Sequence, residues 1–171
     1  KLLSKEELAF PGVKWRLDSS ISGGGLFHDL APHQLDIMYY FFGEVASAGG
    51  IAINQSNLYK ADDVVAGNIL FKNGIIFNGL WCFNCSAENE KDICEIIGEK
   101  GSITFSVFGE QKIILTTVDT SETILFNPPL HVQQPMINEV VNYFLGNGPN
   151  PCTVEDGAEI IRLIDLFTHK V

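Results

Sequence analysis

Positive charge is scarce in this sequence. Eleven Lys and Arg against 21 Asp and Glu leave a net charge of −10 over 171 residues. A nucleic-acid binder needs a basic surface to meet phosphate, so that partner is excluded. An anionic membrane surface gains no support either. No stretch reaches the roughly 18 uncharged apolar residues of a membrane span. Lys1, Lys5, Glu6 and Glu7 interrupt the opening residues, which do not read as a signal peptide. Nucleotide loops are missing: there is no Walker A motif, and Gly23-Gly24-Gly25 lacks the G-x-G-x-x-G spacing. Cysteine is sparse. Cys82 and Cys85 form one C-x-x-C, Cys94 and Cys152 stand apart, and no second pair completes a zinc site. Cys82 and Cys85 fall in a strand-like run, where an offset of three sends them to opposite faces. All four therefore read as buried free thiols, and reduced cysteines point to the cytoplasm.

What is present centres on residues 22–43, S-G-G-G-L-F-H-D-L-A-P-H-Q-L-D-I-M-Y-Y-F-F-G. Pro32 suits a helix's first turn, because its ring removes a donor and fixes φ. The spacing predicts a helix from near Asp29 to Gly43, which supplies the terminating glycine. At about 100° per residue, Asp29, His33, Asp36 and Tyr40 share one stripe. The remainder, with Leu30, Leu35, Ile37, Met38, Phe41 and Phe42, is apolar almost all round and predicts a buried helix. The polar stripe then faces water, a cavity or a partner. It reads equally as an N-cap and solvated face or as a functional constellation. Just upstream, Trp15 and Arg16 combine a flat apolar face with a planar fork of donors. That pair suits a polyol or carboxylate ligand, or simply packs at the core edge. His28 points about 100° away from Asp29 and is set aside.

Beyond Gly43 the apolar period changes from 3.6 to 2. Strands are expected over 45–58, 64–71, 75–86, 93–97, 103–107, 112–117 and 123–126. Asn73-Gly74 predicts a two-residue type I′ hairpin turn. Short turns require antiparallel pairing, since parallel pairs need long crossovers. Two helices follow. Pro135 opens one, with Ile137, Val140, Val141 and Phe144 on one side, ending at Gly146. Thr153 to Asp156 resembles a capping box for the other, whose apolar side is Ile160, Ile161, Leu163, Ile164 and Phe167. The order predicts an α+β domain: an open, predominantly antiparallel sheet with helices on one face. The uncovered face predicts a homodimer through it.

The run W-R-L-D-x-x-x-S-G-G-G-L-x-x-D-L-x-x-H-x-x-D-x-M-x-Y-x-F-G, residues 15–43, resembles the opening of the C-terminal domain in the glucose-fructose oxidoreductase, inositol dehydrogenase and rhizopine-catabolism (Gfo/Idh/MocA) family. Asp62-Asp63-Val64, Asn73-Gly74, Ile93 to Phe105 and Pro151 to Gly157 continue the likeness, which covers roughly residues 12–170. Members have two domains. The N-terminal Rossmann domain binds NAD or NADP and supplies a lysine from a Glu-Lys-Pro tripeptide that this sequence lacks. The resemblance therefore implies the C-terminal substrate-binding and dimerisation domain alone, inactive by itself, with NAD or NADP bound mainly by the other domain. It assigns Asp29 and His33 to the catalytic pair, His33 as general base. Arg16, Trp15 and Asp36 are assigned to the substrate, a sugar or polyol. One departure is Ala31-Pro32, where the family often has glycine two residues after the aspartate. Two other readings are a non-catalytic sugar-binding or assembly domain, and a metal-dependent hydrolase built on Asp29, His33 and Asp36.

Overall fold

The computed structural model describes residues 15–168. The expected turn at Pro11-Gly12, Lys14 and His169 lie outside them. A helical turn at 15–17 precedes α1 (Ser19–Ser22) and α2 (Leu26–Phe42). Seven strands follow: β1 (Val45–Ile53), β2 (Val64–Phe71), β3 (Ile76–Cys82), β4 (Cys94–Gly98), β5 (Gly101–Phe105), β6 (Lys112–Thr117) and β7 (Ser121–Leu125). The chain ends in α3 (Gln134–Phe144) and α4 (Val154–Thr168). Every strand pairing is antiparallel, and the strands form two sheets, β1-β2-β3 and β4-β5-β6-β7. The second sheet falls in a compact unit formed by residues 91–153; the other described residues form a second unit.

In the first unit α4 lies on β1 and β2 and against α2. Of the apolar side read from its spacing, Ile160, Leu163, Ile164 and Phe167 are buried, while Ile161 is exposed. The inward row of β2, Val65, Gly67, Ile69 and Phe71, is buried, while Ala66, Asn68 and Leu70 face outward. That alternation is the period of two expected of a sheet covered on one side. Gly50 and Gly67 are cross-strand partners. A Cβ on Gly67 would overlap the Phe167 ring, and one on Gly50 would come 2.9 Å from the Phe167 backbone. The two glycines thus form a slot that admits α4 close to the sheet.

Three local expectations change. α2 begins at Leu26, so Pro32 sits inside the helix rather than in its first turn. Buried Phe27 and Ala31 anchor the added turn, and tertiary packing outweighs the lost backbone bond. The helix is not buried all round: Tyr40 and Phe41 are exposed, and the covered face is Phe27, Ala31, Leu35 and Met38. The β2–β3 hairpin is not type I′. Only Gly74 has positive φ, and Phe71 N–H donates to the Ile75 carbonyl (2.9 Å) across Lys72-Asn73-Gly74. That is a three-residue loop with glycine in the left-handed position. The Asn73 side chain accepts the Ile75 N–H within the loop at 3.2 Å and donates to the Phe42 carbonyl at 3.0 Å.

β1 stops at Ile53, short of the predicted 58, because of Asp63. This fully buried carboxylate accepts the backbone N–H of Gln55 (2.7 Å) and of Ser56 (3.0 Å). Its own N–H donates to the Ile53 carbonyl, and its carbonyl accepts from Phe83 N–H (2.8 Å). One residue thereby turns the chain after β1 and ties it to the end of β3. Leaving one such buried partner unsatisfied costs about 1–3 kcal/mol.

Candidate functional site

The site is built where the segment before α1 returns beside α2. Asp18 caps α1 by accepting the Ser20 N–H at 3.0 Å. Ser22 Oγ accepts the Gly25 N–H at 3.0 Å, steering the chain into α2. These local bonds give residues 15–22 a structure that is too short to show periodicity. They accompany a contact between residues thirteen apart: Arg16 Nε donates to Asp29 Oδ2 at 2.8 Å. The Arg16 guanidinium carbon also lies 4.5 Å from the Trp15 ring centroid, within the range of cation–π attraction. The Arg16 and Asp29 side chains are 37% and 38% exposed, so water screens the pair. The pair's main consequence is geometric, because it fixes the orientation of the guanidinium fork.

The carboxylate expected to orient His33 thus engages Arg16. Asp36, one turn further along α2, lies within electrostatic reach of His33. Burial raises the Asp36 carboxyl above the ordinary range, Asp156 of α4 adds to this, and attraction to His33 opposes it. Asp156 was legible in the sequence only as a capping residue. Tyr40, the last member of the stripe, is exposed beside Phe41, with ring centroids 5.7 Å apart. Gln34, next to His33, accepts Trp81 Nε1–H at 2.5 Å and so couples α2 to β3. The structure therefore brings Trp15, Arg16 and Asp29 into one group, while Asp36 lies within electrostatic reach of His33 and of Asp156.

The glycine run does not form a pyrophosphate cradle. A Cβ on Gly24 would overlap the His28 ring, and one on Gly25 would overlap Ala61, so the protein itself fills both spaces. His28, set aside from the sequence, has this packing role. Burial lowers its imidazole pKa, opposed by a hydrogen bond to the Gly24 backbone and by Asp165 and Asp62. Among the described residues no three His, Cys, Asp or Glu could hold a metal together, and Asp29, His33 and Asp36 do not form such a group.

Comparison with known proteins agrees with this architecture. A family model of the GFO/IDH/MocA C-terminal domain matches residues 6–104. Oxidoreductase P35 of Formosa agariphila is 44% identical over 155 residues, covering 91% of this chain and 47% of that protein. Among solved structures, levoglucosan dehydrogenase in complex with NADH and levoglucosan superposes with a TM-score of 0.75 at 21% identity, over 90% of this chain and 50% of that one. An oxidoreductase from Agrobacterium radiobacter, in complex with NAD+, L-tartaric acid and magnesium, gives 0.77 at 17% identity, over 92% and 49%. The chain spans about half the length of the relatives it matches. It belongs to the GFO/IDH/MocA family of oxidoreductases and corresponds to the C-terminal domain.

Proposed function

We propose that this chain is the substrate-binding and oligomerisation half of a cytoplasmic NAD(P)-dependent oxidoreductase acting on a sugar or polyol. The observation that carries the reading is that Trp15 and Arg16, from the segment before α1, meet Asp29 on α2, the helix that also carries His33. A flat indole and a fixed donor fork suit a ring bearing several hydroxyls. His33 takes the proton from the hydroxyl that is oxidised, with Asp36 within electrostatic reach of it. Asp29 holds Arg16 in place. NAD or NADP supplies the hydride acceptor when bound, and it is held mainly by residues outside this chain.

The test is a panel of neutral sugars and polyols presented to the full-length protein with each nicotinamide cofactor. Cofactor-dependent oxidation of at least one member is expected. Sugar binding without turnover would favour a non-catalytic domain instead, and neither binding nor turnover would end the sugar reading.

The outer face of β1-β2-β3 supports self-association. Ile51, Ile53, Leu70, Ile76 and Leu80 are exposed there, around a centre of Asn68 paired with Asn78. Exposed apolar area of this kind usually marks an interface. Light scattering should find a dimer, and Leu80→Asp should convert it to a monomer. A wild-type monomer at tens of micromolar would remove the proposal.

A further inference from the structure

The sequence places Cys82 and Cys85 on opposite faces of one strand, but the fold does not. β3 ends at Cys82, and the chain turns through Phe83 and Asn84. The two cysteines are therefore the first and fourth residues of a tight turn. Such residues have Cα atoms within about 7 Å, and a disulfide requires about 4.4–6.8 Å. The Cys85 thiol points back across the turn, its Sγ 3.6 Å from the Cys82 carbonyl oxygen. The Cys82 thiol donates to Asn84 Oδ1 at 3.0 Å within the same turn. Both are free and half-buried. Two thiolates make only half of a tetrahedral zinc site, and no third donor joins them among the described residues. The other two cysteines differ. Burial pushes the Cys94 thiol up to about 11, helped by Asp92, which keeps it protonated and a poor nucleophile. Cys152 lies in a separate segment before α4.

We propose that Cys82 and Cys85 are a redox-active dithiol that a low-molecular-weight disulfide converts to an internal disulfide. One thiolate attacks the small disulfide, forming a mixed disulfide and releasing one small thiol. The second cysteine's thiolate then displaces the other small thiol and closes the Cys82–Cys85 bond. The protein loses two electrons and two protons, and the small disulfide becomes two thiols. Closure takes the Cys82 donor away from Asn84, whose amide also donates to Gln55 Oε1 at 3.0 Å. The change is thus felt in the loop that Asp63 holds after β1.

The experiment incubates the full-length protein in buffers of varied reduced-to-oxidised glutathione ratio, quenches with acid, alkylates free thiols and maps peptides by mass. In oxidising buffer the peptide spanning Cys82 and Cys85 should escape alkylation, be two hydrogens lighter, and revert with dithiothreitol. Cys82→Ser and Cys85→Ser should each abolish the internal bond and leave a persistent glutathione adduct on the remaining cysteine. Alkylation of both cysteines at every ratio would overturn the proposal. So would separate adducts with no internal bond, or pairing with another cysteine. The wild-type peptide masses decide the matter even if a variant fails to fold.

Discussion

Phe167→Ala is expected to cost about 3–5 kcal/mol of stability, the range for emptying a fully buried aromatic site. Phe167 is completely buried, with its ring 6.5 Å from that of Phe27 and 6.0 Å from that of Trp81. It is where α4, α2 and the first sheet meet. The opposite error should also hurt. Gly67→Ala places a Cβ against the Phe167 ring and should cost about 1–3 kcal/mol through overpacking. Together the two changes should cost less than their sum, because alanine at position 167 leaves room for the new methyl. Urea unfolding of the four proteins measures this directly. Strict additivity would mean that the Gly67 slot is not what seats Phe167.

Much of this unit was legible because its signals are periodic. The alternation of β2 and the apolar side of α4 place both elements, since one buried face demands one period. The strands of the second unit were found for the same reason. What escaped was chemistry between distant residues. The buried carboxylate of Asp63 ends β1 by binding two backbone amides eight and seven residues earlier, and no local pattern announces that. Pro32 predicted a later helix start because propensity knows nothing of Phe27 and Ala31 in the core. The cysteine pair was misplaced because a strand was extended past Cys82, where the chain turns.

The common helix of the candidate residues was legible, but their partnerships were not. Helical spacing puts Asp29, His33 and Asp36 on one side of α2. It did not reveal that Arg16 would come to Asp29, because the capped turn at 18–22 returns the chain. Nor did it reveal Asp156, which belongs to a helix more than a hundred residues later. A helical wheel reports neighbours on one element only. The proposed division of labour between Asp29 and Asp36 rests on neighbours from other elements.

That division makes the largest prediction for activity. In the full-length protein, His33→Ala should lower kcat/KM for the best sugar or polyol by about 10²–10⁴-fold, the usual contribution of a positioned general base. The side chain is exposed, so the fold should be retained. The pH profile separates this from a loss of packing. A base must be neutral to accept the proton, so the wild-type rate should fall on the acid side as the imidazole charges. His33→Ala should lack that acid limb. Asp36→Asn removes a charge within electrostatic reach of His33 and should lower kcat/KM. Asp29→Asn should raise KM, because Asp29 acts on Arg16. If His33→Ala keeps full activity or an unchanged acid limb, the base lies elsewhere. If Asp29→Asn lowers kcat and leaves KM unchanged, Asp29 acts on the chemistry and not through Arg16.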